Sequence, residues 1–213
     1  MKAKATDCVL VMGQRGCGKS YLAKRLQSLW PKRVIIDSLS EYQVEKNKKN
    51  NDFGNAIIVN SFDSFLDKMV ELEGTKADSF VIIYNFDPES NINSEIFDEI
   101  LRISYKFGNI QIVIEEVQLY SSPHQLTKWL KNCLLTGRHR GLSLLFTTQR
   151  PGELNKTILS QCAHIFCGKI TEGNDLRYIS SFLNQNSEKL INIPFKRFLY
   201  FSDEGIQEIS NDF

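Results

Sequence analysis

Residues 13–20 of the chain read GQRGCGKS and match the pattern Gly-x4-Gly-Lys-Ser. In this pattern the glycines let the backbone turn tightly around a phosphate group, with N–H groups pointing inward. Lys19 is expected to bring its charge to the β- and γ-phosphates, and Ser20 to supply a hydroxyl ligand to Mg²⁺. The segment therefore predicts a site for ATP with magnesium. The residues predicted to form this phosphate cradle are Gly13, Gln14, Arg15, Gly16, Cys17, Gly18, Lys19 and Ser20.

Two adjacent carboxylates follow a later apolar stretch. Hydrolysis requires an acidic residue that holds magnesium-bound water and a base that orients the attacking water. Glu115 and Glu116 come directly after the largely apolar stretch IQIVI, residues 110–114, and suit both roles, with Glu115 on the metal side and Glu116 as the base. Asp87 follows another apolar stretch and is the alternative acid, although it stands alone and just before a proline.

A glutamine ends a third apolar stretch, LSLLFTT, at position 149. If its strand lies between the cradle strand and the acidic strand, the Gln149 amide is placed near the γ-phosphate. It would then report whether ATP or ADP is bound, and Gln149 is therefore predicted to join Lys19 and Glu116 in catalysis. The alternative is a glutamine that only caps its strand. Arg15 and Cys17 occupy free positions of the cradle pattern, and no special role is expected for them.

Apolar stretches alternate with helical patterns along the chain, which predicts an α/β fold with a mainly parallel sheet flanked by helices. At 213 residues the chain suits one domain, residues 1–213. Leu22, Leu26 and Leu29 recur at helical spacing and predict a core-facing stripe. The predicted strands are 7–12, 33–37, 56–59, 80–86, 110–116, 142–148, 164–168 and 198–201. The predicted helices are 20–30, 63–73, 94–107, 125–135, 154–161 and 174–183.

The composition is that of a globular protein, with 42% hydrophobic and 24% charged residues. No apolar run approaches the roughly 20 residues of a membrane-spanning helix, so no transmembrane segment is expected. The first apolar stretch runs straight into the glycine loop and is interpreted as a strand and not a signal peptide, which favours the cytoplasm. A net charge of +1 neither indicates nor excludes nucleic acid. The polar residues 46–55 predict a solvated loop, or one whose Lys46, Lys48 and Lys49 face DNA.

Taken together, GQRGCGKS, IVIEE and GRHRGLSLLFTTQRP resemble the HerA/FtsK superfamily of ring-forming DNA translocases, and in particular the small genome-packaging ATPases of icosahedral viruses with an internal membrane. The likeness covers nearly the whole chain and includes VIID, FVIIYNF, SEIFDEILRISYKFG and NDLRYIS. It implies a RecA-like P-loop NTPase of the additional-strand, catalytic-glutamate type.

The same resemblance implies an ATPase that moves double-stranded DNA, most specifically a viral genome into a capsid. It implies a ring homo-oligomer, a pentamer or hexamer, located in the host cytoplasm or associated with the virion. Proteins of the capsid vertex or of the viral membrane are further implied partners.

One residue role comes from the resemblance alone. In this family an arginine shortly before the glutamine strand reaches the nucleotide of a neighbouring subunit, and the matching position is Arg138. Arg140 falls where the pattern tolerates other residues. The family usually has Asp-Glu where this chain has Glu115-Glu116. The extra methylene of Glu115 moves its carboxylate by about 1.5 Å, which bears on the rate of turnover and not on nucleotide binding.

Three other functions fit the motifs. The first is transfer of plasmid, conjugative or filamentous-phage DNA, by proteins that usually carry membrane segments or extra domains. The second is a nucleotide-kinase-type phosphotransferase, which should show an arginine-rich lid, whereas Arg177 is the only arginine in residues 161–193. The third is a nucleotide switch or scaffold without hydrolysis, suggested by Glu115 in place of aspartate.

Overall fold

The structure, a computed structural model, describes residues 6–42, 55–86, 94–183 and 187–210. The predicted basic loop with Lys46, Lys48 and Lys49 and the alternative acid Asp87 lie outside these residues. The strands are β1 (Cys8–Met12), β2 (Lys32–Asp37), β3 (Ile57–Val59), β4 (Phe80–Asn85), β5 (Gln111–Ile114), β6 (Ser143–Thr148), β7 (His164–Cys167), β8 (Arg197–Ser202) and β9 (Gly205–Ser210).

The helices alternate with the strands. They are α1 (Lys19–Gln27), α2 (Phe62–Thr75), α3 (Ser94–Phe107), α4 (Lys128–Thr136), α5 (Lys156–Gln161), α6 (Gly173–Leu183) and α7 (Lys189–Asn192). Short 3-10 helices span Val117–Leu119, Gly137–Arg140 and Pro151–Glu153. Within the described residues, no helix combines the length and the apolar character needed to cross a membrane.

The strands form one sheet in the order β3-β4-β2-β5-β6-β1-β7-β8-β9. All pairings from β3 to β7 are parallel, and β8 and β9 add an antiparallel hairpin. The predicted α/β class is therefore confirmed, and β6 lies between β1 and β5, the position on which the prediction for Gln149 depends. Because parallel strands end at the same edge, the segments after β1, β5 and β6 meet there. This carboxyl edge of the sheet holds the candidate site.

Alternate strand residues pack into two cores on opposite faces of the sheet. Val9 belongs to the core under α1, which includes Leu22, whereas Leu10 belongs to the core under α2–α4, which includes Phe97 of α3. Strands buried on both faces explain the continuous apolar stretches of the sequence. The predicted leucine stripe is only partly correct, because α1 ends at Gln27 and Leu29 beyond it is 65% exposed.

Several elements have other ends than predicted, and some were not predicted. Strand β5 ends at Ile114, so Glu115 and Glu116 lie in the turn beyond it and not on the strand. Strand β9 was not predicted, since its residues are exposed or half-buried and lack an apolar stretch. Strand β9 is held by its pairing with β8, and its other edge faces solvent because it is the last strand of the sheet.

Candidate active site

The cradle follows β1 and is tied to the neighbouring strands by its backbone. The N–H of Gly13 donates to the Thr148 carbonyl at 3.2 Å, and the N–H of Gln14 donates to the Lys169 carbonyl at 2.7 Å. Gly18 begins α1 with φ 100°, a left-handed conformation that a residue with a side chain rarely adopts. The loop is thus held between β6 and β7 and turns sharply into the helix.

The thiol of Cys17 has a packing role that the sequence analysis did not assign. A Cβ atom added to Gly13 would lie 2.8 Å from Cys17 Sγ, and one added to Gly168 would also lie 2.8 Å from it. The buried thiol fills the space that these two glycines leave, and burial raises the pKa of Cys17. The Cys17 side chain therefore packs the loop against the segment after β7.

Lys19 and the first turn of α1 face a cavity of about 680 Å³, whose wall includes Gly18, Ser20 and Gln149. The Lys19 ammonium is buried and donates to the Gln14 carbonyl at 3.2 Å. Among the described residues no side chain caps the start of α1, and the first turn of the helix carries no acid. The helix N–H groups and the ammonium therefore present positive charge to the cavity, whose wall also includes Glu41, and this arrangement suits phosphate.

Glu116 and Gln149 are in direct contact at the carboxyl edge. The backbone N–H of Gln149 donates to Glu116 Oε2 at 2.9 Å, and its side-chain amide donates to Glu116 Oε1 at 2.7 Å. Gln118 donates to Glu116 Oε2 at 2.7 Å. Glu116 adopts φ 50°, a conformation that costs about 1–3 kcal/mol in a residue other than glycine. This turn brings the 4%-exposed side chain of Glu116 to Gln149.

The Gln149 side chain links the carboxylate to the cavity. Gln149 is part of the cavity wall while it donates to Glu116. An amide nitrogen carries two N–H groups, so the second one remains for a phosphate oxygen. This placement agrees with a residue that contacts both the base and the γ-phosphate, and it goes beyond the alternative of a strand cap. The catalytic roles of Glu116, Lys19 and Gln149 stay predictions.

Glu115 lies deeper than Glu116 and is 2% exposed. Its Oε1 accepts a hydrogen bond from the Tyr42 hydroxyl at 2.6 Å, and its Oε2 accepts one from the Thr147 hydroxyl. Burial raises the pKa of Glu115 to about 7, and these two hydrogen bonds partly offset the effect because they stabilise the charged form. Glu115 is thus oriented on both of its oxygens.

The predicted metal ligands fit Mg²⁺ by their chemistry. The Ser20 side chain is part of the cavity wall, and each Glu115 oxygen keeps a second lone pair beyond the hydrogen bond it accepts. Oxygen donors are the ligands that a hard divalent cation prefers. Because Glu115 is buried and is not part of the cavity wall, it would hold the ion through metal-bound water, and Ser20 would hold it directly.

Two residues that the sequence analysis missed position Glu115. The Tyr42 hydroxyl also accepts from Gln27 Nε2 of α1 at 2.9 Å, and the Asp37 carboxylate holds Tyr42 through its backbone N–H at 2.9 Å. Thr147 accepts the backbone N–H of Glu116 at 3.0 Å in addition to donating to Glu115. The strand register, which pairs Ile114 with Phe146 one residue earlier, places Thr147 beside Glu115, and this register is known only from the fold. Nothing in the sequence pointed to Tyr42.

Arg138 lies far from the cradle of its own subunit. It is exposed in the 3-10 helix before β6, at the edge of the sheet opposite to the one that holds Gln149. The six residues of β6 span about 17 Å between these edges, which is longer than an arginine side chain. Arg140 is instead tied to α3, since it donates to the Lys106 carbonyl at 2.6 Å. Arg138 therefore cannot serve its own nucleotide, and its role toward a neighbour stays a prediction.

Comparisons with known proteins reveal similarity over most of the chain. No protein-family model matches it. Protein P9 of Pseudoalteromonas phage PM2 is 26% identical over 207 residues, which are 92% of this chain and 85% of the phage protein. The DNA double-strand break repair helicase HerA of Sulfurisphaera tokodaii is 28% identical over 186 residues, which are 75% of this chain and 37% of the helicase.

A solved structure extends the similarity to the fold. The genome packaging NTPase B204 from Sulfolobus turreted icosahedral virus 2, in complex with ATP-gammaS, has a TM-score of 0.73 and 23% identity. The match covers 97% of this chain and 98% of that chain. These findings confirm the predicted fold and the predicted resemblance: the chain is similar to P-loop ATPases of the HerA/FtsK superfamily.

Proposed function

We propose that the chain is an ATP-driven motor that moves double-stranded DNA and packages a viral genome into a capsid. The observation that carries the motor is the contact between Glu116 and Gln149 at the cavity wall. It connects the residue that would activate water to the residue that would meet the γ-phosphate, so that hydrolysis and nucleotide state are coupled. The DNA and the capsid are supported by the relatives, a genome packaging NTPase and a DNA repair helicase.

The reaction follows from the placement of the side chains. Lys19 and the start of α1 bind the phosphates. Glu116 accepts a proton from a water molecule while the oxygen of that water attacks the γ-phosphorus. The bond from that phosphorus to the β–γ bridging oxygen breaks, and ADP and phosphate leave. Mg²⁺, held by Ser20 and through water by Glu115, would neutralise phosphate charge. When the γ-phosphate leaves, Gln149 would lose its contact to that group. Because Gln149 also donates to Glu116, this change would reach the turn after β5 that carries Glu116.

The motor is further proposed to act as a ring of five or six copies, in which Arg138 of one subunit completes the site of the next. An exposed arginine at the sheet edge opposite to its own cradle supports this arrangement. The proposed places of action are the host cytoplasm and the virion, with proteins of the capsid vertex or viral membrane as partners. Transfer of plasmid, conjugative or filamentous-phage DNA would use the same chemistry.

The proposal predicts magnesium-dependent ATP hydrolysis that duplex DNA stimulates. Lys19→Ala removes a charge-assisted hydrogen bond to phosphate, which contributes about 1.5–3 kcal/mol, so ATP binding should weaken by about 10- to 100-fold and turnover should be lost. Steady-state phosphate release with and without duplex DNA measures this. Lys131→Ala, at an exposed position of α4, is the matched control and should behave like the parent.

Each alternative gives a different result in the same assay. Hydrolysis by Lys19→Ala at the parental rate would refute the cradle. Phosphorylation of an added nucleoside monophosphate would indicate a nucleotide kinase, and ATP binding without turnover would indicate a switch or scaffold. A rate of ATP hydrolysis that duplex DNA does not change at any salt concentration would contradict the proposal of a DNA motor.

A further inference from the structure

The cavity continues from the cradle to two exposed aromatic side chains. Tyr21, which follows Ser20 in α1, is 47% exposed, and Phe195, in the segment before β8, is 63% exposed. Both are part of the wall of the cavity that also contains Lys19. An exposed cluster of apolar side chains beside a cavity, unlike a single exposed one, is typical of a binding surface. Leu39, 49% exposed, adds a further apolar side chain to the same wall.

Lys196 holds the two rings together. Its ammonium lies 4.8 Å from the centroid of the Tyr21 ring and 5.5 Å from that of the Phe195 ring. Both distances are within the range of a cation–π contact. One lysine thus bridges an aromatic residue of α1 and one from a distant part of the chain.

The segment that carries Phe195 is pinned to the cradle itself. The N–H of Lys196 donates to the Cys17 carbonyl at 3.2 Å, and Lys196 adopts φ 60°. A Cβ atom added to Gly18 would lie 3.3 Å from Lys196 Cγ, so the glycine of the cradle leaves room for this lysine. A strained conformation that the surrounding contacts maintain is typical of a binding site. Phe195 is therefore held close to the cradle.

We infer that Tyr21 and Phe195 form an aromatic platform, positioned by Lys196, on which the base of the bound nucleotide stacks. The inference rests on the proposed function, because it places the base of the same ATP whose phosphates occupy the cradle. Tyr21 is three residues after Gly18 and so shares a face of α1 with it. A nucleotide that extends from the cradle along this face reaches the two rings. The cavity volume of about 680 Å³ is in the usual range for such a ligand.

The platform would recognise the face of the base and not its edge. Every base has a π-face, so stacking on aromatic side chains tolerates different bases. ATP and GTP should therefore depend on the platform to the same extent. Nucleotide selectivity at this site would be modest, and triphosphate recognition would remain with the cradle.

The test compares ATP, GTP and inorganic tripolyphosphate, each with Mg²⁺, by isothermal titration calorimetry. Phe195→Ala and Tyr21→Ala should each weaken ATP and GTP by about tenfold and leave tripolyphosphate within about twofold of the parent. Tyr21→Phe keeps the ring and should bind like the parent. Leu29→Ala, at an exposed apolar position whose side chain is not part of the cavity wall, is the control and should change none of the three.

The outcomes separate this inference from the proposed function. Equal losses for ATP and tripolyphosphate in Phe195→Ala would overturn the platform, because the change would then act through the cradle. Unchanged ATP binding in both alanine variants would also overturn it, as would a loss confined to ATP and absent for GTP. Failure of the parent to bind tripolyphosphate at all would instead refute the cradle, on which the proposed function depends.

Discussion

Glu116→Gln should bind ATP and leave it unhydrolysed. The substitution keeps the length of the side chain but removes the group that accepts a proton from water, and general-base catalysis contributes about 10²- to 10⁴-fold to a rate. Lys19 and the start of α1 are unchanged, so ATP affinity should stay close to that of the parent. Single-turnover hydrolysis of ATP, measured together with its binding, tests both parts of this expectation.

The contacts of Glu116 require a control for positioning. The parent carboxylate accepts three hydrogen bonds, two from Gln149 and one from Gln118. A glutamine at position 116 offers one acceptor oxygen and would set its own amide against one of these donors. Gln118→Ala removes one donor and keeps the base, so its turnover should fall by no more than a few-fold. Near-parental turnover by Glu116→Gln would move the base elsewhere, with Asp87 as the first residue to test.

Arg138→Ala should reduce turnover by about 10³- to 10⁵-fold, the range for an arginine finger supplied by a neighbour. Charge spreads over the γ-phosphoryl oxygens as the bond breaks, and a guanidinium from the next subunit would neutralise it. Mixing Arg138→Ala with Glu116→Gln should partly restore activity. At some mixed interfaces the intact base of the first variant would meet the intact arginine of the second.

Arg140→Ala separates this role from local structure. Arg140 anchors the turn to α3 through the Lys106 carbonyl, which belongs to the same subunit. Any activity that Arg140→Ala loses should therefore not be restored by mixing with Glu116→Gln. The mixed assemblies must be shown to contain both chains, for example by two affinity tags. If such assemblies recover no activity, Arg138 does not act on the nucleotide of a neighbouring subunit. The length of β6 already separates Arg138 from the cradle of its own subunit, so the arginine would then have no role in hydrolysis.

The α/β class and the edge of the sheet that holds the site could be predicted because both depend on local patterns, whereas the full strand order was not predicted. The glycine loop between an apolar strand and a helix identified the cradle, and terminal Glu116 and Gln149 followed because parallel strands end at one edge. The packing role of Cys17 in the cradle was missed because it depends on Gly168, which contacts the thiol only through the fold. The exposure of Leu29 follows from where α1 ends, and helix ends are poorly specified by spacing alone.

The environment of Glu115 was the largest feature beyond the reach of the sequence. Its hydrogen bond from Tyr42 joins residues 73 positions apart, and it depends on a turn that the Asp37 carboxylate holds. A carboxylate at a strand end can be identified from a pattern, but its burial and partners depend on the three-dimensional packing of that turn. The same holds for the aromatic platform, which joins α1 to the segment before β8.

The most direct test of the account is whether the chain moves along duplex DNA when it hydrolyses ATP. A linear duplex that carries a third-strand oligonucleotide reports this, because a translocating motor displaces the oligonucleotide. The account predicts displacement with Mg²⁺ and ATP, none with a non-hydrolysable ATP analogue, and none by Lys19→Ala. ATP hydrolysis at the full DNA-stimulated rate without any displacement of the third strand would contradict it.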